Sequence, residues 1–282
     1  MSTALETFTR TAEGAANEVI DAYSTSFGMA TRLLGARHRQ HVRNIYALVR
    51  VADEIVDGVA AQAGLTIPEQ RAVLERFRAD TAEAVARGYS ADVVIHAFAQ
   101  TARACGIGEE LTAPFFDSMA MDLDAPDPDH DAYVWGSAEV VGLMCLRVFL
   151  RAELRSADQL AVLDHGARQL GAAFQDINFL RDLAADEVLG RHYLGTRLSD
   201  ADRDLWVARI RVQLADAALA IPLLPKDARA AVRTAHALFT RLADRIAATP
   251  ASELYERRIR VPGAIKVGIA ARARAKTALE RA

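Results

Sequence analysis

Asp53 and Asp57 lie four residues apart within residues 50–57. If this segment is helical, successive residues are turned by about 100°, and both carboxylates project from one face with Arg50 beside them. Two carboxylates at this spacing repel each other unless a cation lies between them. An isolated pair usually belongs to a solvated helix face, but the neighbouring Ile, Leu and Val residues leave little room for a polar stripe here. The segment therefore predicts a cation site.

A second set of oxygen-bearing side chains occurs about 125 residues later. Gln175, Asn178, Asp182 and Asp186 are spaced three, four and four residues apart, which aligns two amides and two carboxylates along one helix face. Such oxygen ligands suit Mg²⁺, which completes its shell with waters and with the phosphate oxygens of a substrate. Two ladders of this kind facing each other would let Mg²⁺ ions bridge a diphosphate. The other interpretation is a polar stripe whose acids are neutralised by Arg181.

The elements that would carry these residues are helices. Hydrophobic residues make up 51% of the 282 residues, and strict alternation of apolar and polar residues is rare. We predict an all-α fold, with a single domain over residues 1–282 in which residues 1–12 form a poorly ordered N-terminal extension. The predicted helices cover residues 13–34, 38–60, 68–87, 91–105, 109–123, 130–152, 156–183, 199–220, 226–247 and 262–280.

Composition and local pattern argue against several other classes of protein. The net charge of -3 gives no support for nucleic-acid binding. No predicted strand precedes a Gly-rich turn, which argues against Rossmann and P-loop sites, so any phosphate would be held by side chains and a metal ion. Cys105 and Cys145 are far apart, as in a reducing compartment, and the N-terminal residues show no secretory signal. We expect a cytoplasmic protein.

Taken in order along the chain, the motifs resemble those of the squalene/phytoene synthases, the head-to-head prenyltransferases. The resemblance extends from about Tyr23 to Lys266, and several motifs in the family's order are more specific than either acidic segment alone. It is carried by residues 23–27, by residues 44–57, by Tyr133 with Ala138, Val141 and Gly142, by Gln175, Asn178, Arg181, Asp182 and Asp186, by Gly190, Arg191, Tyr193 and Leu194, and by Tyr255, Arg258, Ile259, Val261, Pro262 and Lys266.

The resemblance implies a role for each matching residue. The ligands of Mg²⁺, or of Mn²⁺ as its substitute, would be Asp53, Asp57, Asn178, Asp182 and Asp186, and these residues together with Tyr46 would be catalytic. The residues that bind substrate would be Ser24, Ser26, Phe27, Arg50, Tyr133, Gln175, Arg181, Tyr193, Arg258 and Lys266. Phe27, Tyr46, Leu143 and Phe174 would form the wall of a central apolar cavity in an isoprenoid synthase-like helical bundle. Departures from the family's pattern occur at Asp176, Ile177, Ala184, Ala185 and Glu139, none of which is an expected ligand.

The implied reaction joins two identical prenyl diphosphates through a cyclopropylcarbinyl diphosphate. Residues 133–144 look most like bacterial phytoene synthases, which favours two geranylgeranyl diphosphates going to phytoene in carotenoid biosynthesis, without NADPH. The alternatives are a squalene, dehydrosqualene or presqualene diphosphate synthase acting on farnesyl diphosphate. A cyclising or chain-elongating prenyltransferase would usually carry DDxxD, which is absent. A non-catalytic assembly factor would be expected to lose the carboxylates.

The C-terminal part of the chain is basic. Residues 257–276 contain seven Lys and Arg and no acid. One interpretation is peripheral contact with the inner face of the membrane, which would suit apolar substrates and products. The other is a terminal helix packed on the domain, with Arg258 and Lys266 turned to the active site. The sequence does not predict an oligomeric state.

Overall fold

A computed structural model describes residues 2–124, 128–195 and 197–280. These residues are 81% helical and contain no strand, so the all-α prediction is confirmed. The α-helices are α1 (Ala4–Tyr23), α2 (Thr25–Thr31), α3 (Ala36–Val56), α4 (Val59–Gln62), α5 (Ile67–Arg87), α6 (Val93–Cys105), α7 (Glu109–Asp124), α8 (His130–Val134), α9 (Val140–Leu150), α10 (Ala157–Val188), α11 (Asp200–Ala220), α12 (Lys226–Ala247), α13 (Ala251–Leu254) and α14 (Gly263–Leu279).

Helix α1 begins at Ala4, so the expectation of a poorly ordered segment over residues 1–12 is wrong from that residue on. The Thr3 hydroxyl accepts a hydrogen bond from the Glu6 backbone N–H at 3.1 Å, and the Glu6 carboxylate accepts one from the Thr3 N–H at 2.8 Å. This capping box satisfies N–H groups that a helix start leaves unpaired. Ala12 and Ala16 are fully buried where α1 packs on α3 and α6. Capping and the close packing of alanines therefore order this segment.

The helix predicted over residues 13–34 is interrupted at Ser24. Its backbone is extended, with φ -139° and ψ 106°, and its hydroxyl accepts a hydrogen bond from the Phe27 N–H at 3.0 Å. Ser24 thus ends α1 and caps α2. The break redirects the chain and brings Phe27 into the aromatic cluster that it forms with Tyr46 and Phe174.

Helices α3 and α10 carry the two acidic motifs. The 21 residues of α3 end at Val56, just before Asp57. Helix α10 has 32 residues and continues beyond the predicted end at residue 183, giving it a length of about 48 Å. A capping box between Ser156 and Gln159 starts it. Each motif is consequently held near the C-terminal part of a long, packed helix.

The helix predicted over residues 130–152 contains a π-helical turn, Trp135–Glu139, between α8 and α9. At Gly136 an added Cβ would overlap the Pro114 carbonyl oxygen and the Ser118 hydroxyl of α7. The widened turn and the glycine allow α7 and this helix to approach closely. This turn places Ser137 and Ala138 in the wall of the central cavity.

Within the described residues, His130–Leu150 is the one stretch long and apolar enough to cross a membrane, with a mean hydropathy of 1.4 over its most apolar window. Half of that window is buried inside the bundle. Val140, Met144 and Val148 are fully buried in the core. The helix of a protein core has the same length and composition, so this stretch is weak evidence for a membrane span.

The basic C-terminal segment forms α14, which packs on α12. Ala273 and Thr277 are buried, and the Glu280 carboxylate accepts hydrogen bonds from Arg229, at 3.3 Å, and from Arg233. This packing supports the interpretation of a terminal helix docked on the domain. Contact with a membrane stays a prediction.

Candidate active site

A cavity of about 380 Å³ runs between α3 and α10. On each helix the lining residues recur every three or four positions, so one face of each forms a wall. The α3 residues are Val42, Ile45, Tyr46, Val49, Arg50 and Asp53, and the α10 residues are Leu163, Gly166, Ala167, Leu170, Gly171, Phe174, Gln175 and Asn178. The oxygen-bearing side chains lie at the C-terminal end of both series, which gives the cavity one polar end and an apolar remainder. From Leu163 to Asn178 the α10 wall is about 22 Å long.

Arg191 links the two acidic motifs. Its guanidinium pairs with the Asp57 carboxylate and donates to the Val56 carbonyl oxygen at 2.8 Å. The side chain is only 10% exposed, although it follows the end of α10 in sequence. The sequence analysis included Arg191 in a motif without giving it a role. The structure makes it the ion-pair partner of the first motif.

Asp122 on α7 is a site residue that the sequence analysis missed. The Tyr133 hydroxyl donates to its carboxylate at 2.9 Å, and the Tyr193 hydroxyl donates to the other oxygen. Burial raises the pKa of Asp122 to about 6, partly offset by the nearby charge of Arg191. No spacing in the sequence marks Asp122, because its partners are supplied by other parts of the chain. The contact fixes both tyrosines. The Tyr193 ring stacks on Phe179 with centroids 4.5 Å apart, and the Tyr133 ring is tilted against Phe179 at 5.8 Å.

The carboxylates at the polar end share one electrostatic field. Burial, followed by the negative charge of Asp57, raises the pKa of Asp53 to about 7. Burial, followed by the charges of Asp182 and Asp57, raises the pKa of Asp186 to about 7. Asp53 and Asn178 line the same cavity, and the charge of Asp57 acts on both Asp53 and Asp186, which agrees with the prediction that the two motifs face each other. An added cation would stabilise the ionised form of each carboxylate.

Basic side chains form the other half of this region. Arg258 pairs with Asp182 at 2.7 Å, and Arg181 pairs with the same carboxylate at 2.6 Å. Lys266 donates to the Ser26 hydroxyl at 2.9 Å. Burial and then the charge of Arg181 lower the pKa of both Arg258 and Lys266. These cations repel one another, so the region would be stabilised by a multiply charged anion.

The oxygen donors fit a Mg²⁺ ion by their chemistry. In the described part of the chain, no three His, Cys, Asp or Glu side chains are gathered closely enough to hold a metal ion. Each of three carboxylates is instead turned to an arginine: Asp53 to Arg50 at 2.7 Å, Asp57 to Arg191, and Asp182 to Arg258. The buried Asn178 Oδ1 has no hydrogen-bond partner among the residues that the structure describes. A buried acceptor left unpaired is costly, and a cation at this position would satisfy it.

The other predicted site residues divide into two groups. Phe27, Tyr46, Tyr133 and Gln175 line the cavity. Ser24 caps α2, and Tyr193, with its hydroxyl on Asp122, lines a separate pocket of about 250 Å³ that also includes Asp186 and Arg191. Direct contact of Ser24 or Tyr193 with substrate stays a prediction.

The expectation for the cavity wall is confirmed for its aromatic members and wrong for Leu143. Phe27 and Phe174 lie in the wall with ring centroids 5.7 Å apart, and Phe174 stacks on Phe239 at 3.7 Å. Leu143 packs in the core beside the cavity and does not line it. The residues of α9 that line the cavity recur at helical spacing, and Leu143 lies off the face that they share; they are Val141, Gly142, Cys145, Leu146 and Phe149.

The chain is similar in sequence to known proteins. The family model described as squalene/phytoene synthase matches residues 20–202. The 15-cis-phytoene synthase of Pantoea ananas is 32% identical over 180 residues, covering 61% of this chain and 55% of that enzyme. The presqualene diphosphate synthase of Rhodopseudomonas palustris is 32% identical over 194 residues, covering 67% of this chain and 64% of that enzyme. The matched part thus spans less than two thirds of either relative.

A solved structure has a fold similar to that of this chain. The crystal structure of a dehydrosqualene synthase in complex with ligand superposes with a TM-score of 0.77 at 20% identity, covering 96% of this chain and 98% of that chain. At this identity the likeness concerns the helical fold alone.

Proposed function

Because this chain belongs to the squalene/phytoene synthase family, we propose that it condenses two molecules of geranylgeranyl diphosphate head to head, through prephytoene diphosphate, to phytoene. The observation that carries the proposal is the division of one cavity into an acidic, arginine-bearing end and an apolar remainder. The first part suits a diphosphate and the second a prenyl chain. The reaction would release diphosphate and serve carotenoid biosynthesis.

The basic side chains would bind the diphosphate. Arg181 and Arg258 both form ion pairs with the Asp182 carboxylate, and Lys266 donates a hydrogen bond to the Ser26 hydroxyl. A diphosphate would replace these internal contacts, leaving the carboxylates free to turn toward a metal ion. Positive groups placed where the leaving group gains charge lower the barrier to cleavage of the C–O bond.

The residues that would hold Mg²⁺ are Asp53, Asp57, Asn178, Asp182 and Asp186. Bound there, Mg²⁺ would neutralise the negative charge that develops on the departing diphosphate. The support from this chain is the unpaired Asn178 Oδ1 and the raised pKa of Asp53 and Asp186. Mn²⁺ has the same preference for oxygen ligands and is the expected substitute.

The apolar part of the cavity would protect the carbocation. Phe27, Phe174 and Phe239 form a continuous aromatic group, and Phe27 and Phe174 lie in the wall. Such a wall excludes the water that would trap the cation, and aromatic faces attract positive charge. Tyr46 and Tyr133 contribute phenolic hydroxyl groups to the lining. The Tyr133 hydroxyl is oriented by Asp122, which positions it near the polar end.

A second candidate function is the synthesis of presqualene diphosphate from farnesyl diphosphate. The Rhodopseudomonas palustris relative with that name is as similar in sequence, at 32% identity, as the phytoene synthase of Pantoea ananas. Squalene and dehydrosqualene are the corresponding later products. We favour phytoene because the amino-acid sequence of residues 133–144 looks most like that of bacterial phytoene synthases. We also propose a cytoplasmic location.

The test is to incubate the purified protein with geranylgeranyl diphosphate or farnesyl diphosphate, with Mg²⁺, with EDTA, and with or without NADPH. Extracted lipids and released diphosphate are then measured. Phytoene formed from geranylgeranyl diphosphate with Mg²⁺ and without NADPH is the expected result. A C30 product or presqualene diphosphate from farnesyl diphosphate alone would select the second candidate. Absence of diphosphate release from both substrates would contradict either prenyl-transfer function.

A further inference from the structure

Helix α11 is apolar on two opposite faces. The inner face is buried against α10 and α12 and includes Val207, Ile210 and Leu214. On the outer face Leu205, Val212 and Leu219 are 71%, 62% and 70% exposed. A helix on the surface of a bundle normally presents polar residues outward, and an apolar outer face indicates an interaction site.

The outer residues follow a heptad spacing. Exposed alanines at 208 and 215 lie between Leu205, Val212 and Leu219, so the steps along the chain alternate between three and four residues. We call these five residues the α11 seam. Two helices pack in a coiled coil through a seam with this spacing. Among the other strongly exposed apolar residues, Leu154, Val188 and Leu279 lie at helix ends or in turns, and Val267 lies within α14.

We propose that the α11 seam binds the same seam on a second copy of this chain, with the two helices parallel and in register. The flanking charges are complementary in that arrangement. In a parallel coiled coil, the residue just before the first apolar position of a heptad, here Leu205 or Val212, faces the residue five positions later on the partner helix. Asp204 would then face Arg209 of the second copy, and Arg211 would face Asp216 of the second copy. The two-fold symmetry repeats both opposite-charge contacts.

The antiparallel arrangement is unfavourable for the same residues. It would bring Arg209 opposite Arg209 of the second copy, and Asp202 opposite Asp216 of the second copy. Both contacts join like charges, which are repulsive at this distance. Charge pattern therefore selects the parallel dimer.

The flanking side chains are accessible for these contacts. Asp204, Arg209 and Arg211 are 65%, 44% and 58% exposed. Arg209 pairs with the exposed Asp131 at 2.9 Å and lies 3.5 Å from the buried Asp176, and Arg211 pairs with Asp244 at 3.4 Å. Asp204 pairs with the mostly buried Arg203 at 2.9 Å and can keep it, because a carboxylate has two oxygens that accept hydrogen bonds. Exchanging the exposed ion pairs for others costs little, because each contributes little.

A second copy also fits the seam better than an anionic membrane would. Asp200, Asp202, Asp204 and Asp216 outnumber Arg209 and Arg211 beside the apolar stripe, and this net negative charge would be repelled by anionic headgroups. The opposite face of α11 contributes Ala217 and Ala220 to the cavity wall, so the dimer would support that wall from behind. The seam is about 21 Å long, and because a single helix pair buries a small interface, the dissociation constant should be on the order of 10 µM.

The experiment is analytical ultracentrifugation of the full chain over about 1 to 100 µM, with the association described by one dissociation constant. The wild-type protein should shift from a mass near 30.6 kDa to twice that value. Val212→Glu should raise the dissociation constant at least about tenfold. Val267→Glu on α14, where the valine is 64% exposed, is the matched control and should leave it unchanged. Thermal unfolding of each variant checks that the fold is retained.

A charge exchange tests the parallel register. Arg211→Glu and Asp216→Arg should each weaken the dimer, and the double variant should restore it because the pair is rebuilt with reversed signs. A wild-type protein that stays monomeric throughout, or a dimer that survives Val212→Glu, would overturn the proposal. A double variant that remains as weak as the single variants would overturn the parallel arrangement. Vesicles with anionic lipid that bind the wild type but not Val212→Glu would assign the seam to a membrane instead.

Discussion

Individual acidic residues of the site are paired with arginines contributed by other parts of the chain. Asp57 pairs with Arg191, which is 134 residues away, and Asp182 pairs with Arg258, 76 residues away. In the protein without substrate or metal ion, these ion pairs balance the negative charge of both motifs. Bound diphosphate and Mg²⁺ would replace these ion pairs, because the arginines would bind the anion and the carboxylates would bind the cation.

Asp182→Asn should lower kcat/KM for diphosphate release by about 10²- to 10³-fold, because it removes a charged ligand and leaves Arg258 without its partner. Steady-state assays with both prenyl diphosphates measure the effect. Asp164→Asn, an exposed aspartate on the same helix, is the control and should have wild-type activity. Equal activity of the two variants would remove Asp182 from the site.

Asp122→Asn should lower kcat by about tenfold while keeping the fold, because an amide cannot accept hydrogen bonds from both tyrosine hydroxyls through two oxygens. The comparison with Tyr133→Phe and with the double variant gives the coupling between the two residues. Effects that simply multiply would contradict the orienting role of Asp122.

Among the elements, the π-helical turn places Ser137 and Ala138 in the wall of the cavity. It lies where α7 and the helix from His130 to Leu150 approach most closely, with Gly136 against Pro114 and Ser118. Gly171 of α10 likewise leaves no room for a Cβ beside the Ala138 carbonyl oxygen. Glycine at these contacts therefore sets the spacing of the helices around the cavity.

Gly136→Ala should reduce the free energy of unfolding by about 1–3 kcal/mol, because the added methyl group overlaps backbone that cannot move easily. Urea unfolding followed by circular dichroism measures the change. Gly14→Ala on α1 is the control: its Cβ would meet no atom within 4 Å, so it should be neutral or stabilise by up to about 1 kcal/mol. A neutral Gly136→Ala would mean that the two helices can separate at no cost.

For the whole molecule, the buried acids at the cavity end set the dependence of stability on pH. The pKa of both Asp53 and Asp186 is raised to about 7, from about 3.9 in an unfolded chain. Between these values the folded protein binds more protons than the unfolded chain, so the free energy of unfolding falls as pH rises. Asp227 has its pKa lowered to about 2 by Arg37, and its contribution is constant above pH 5.

We therefore expect lower stability at pH 7.5 than at pH 5.5 when neither Mg²⁺ nor diphosphate is present. Asp53→Asn should raise the free energy of unfolding at pH 7.5 by about 1–2 kcal/mol, less than the full shift because the side chain is 30% exposed. Urea unfolding at both pH values tests this. Asp80→Asn on the exposed side of α5 should change neither value. If the Asp53→Asn variant kept the wild-type dependence of stability on pH, the raised pKa of Asp53 would not be its cause.

The sequence alone was sufficient for the class of fold, for most of the helices and for the two acidic motifs. Helical periodicity and the spacing of Asp53 and Asp57, or of Asn178 and Asp182, are local properties that can be read over one or two turns. The family resemblance then predicted that the motifs face each other, and their common electrostatic field agrees with that prediction.

Only the tertiary structure decided the remaining features, because they depend on groups far apart in the chain. Asp122 acquires its role from Tyr193, 71 residues away, and the π-helical turn arises where Gly136 meets another helix. The break at Ser24 and the order of α1 from Ala4 on depend on capping and on contacts with α3 and α6. The outer face of α11 became visible as an apolar seam once the opposite face was known to be buried. A pattern within one helix shows which residues share a face, but packing decides which face is covered.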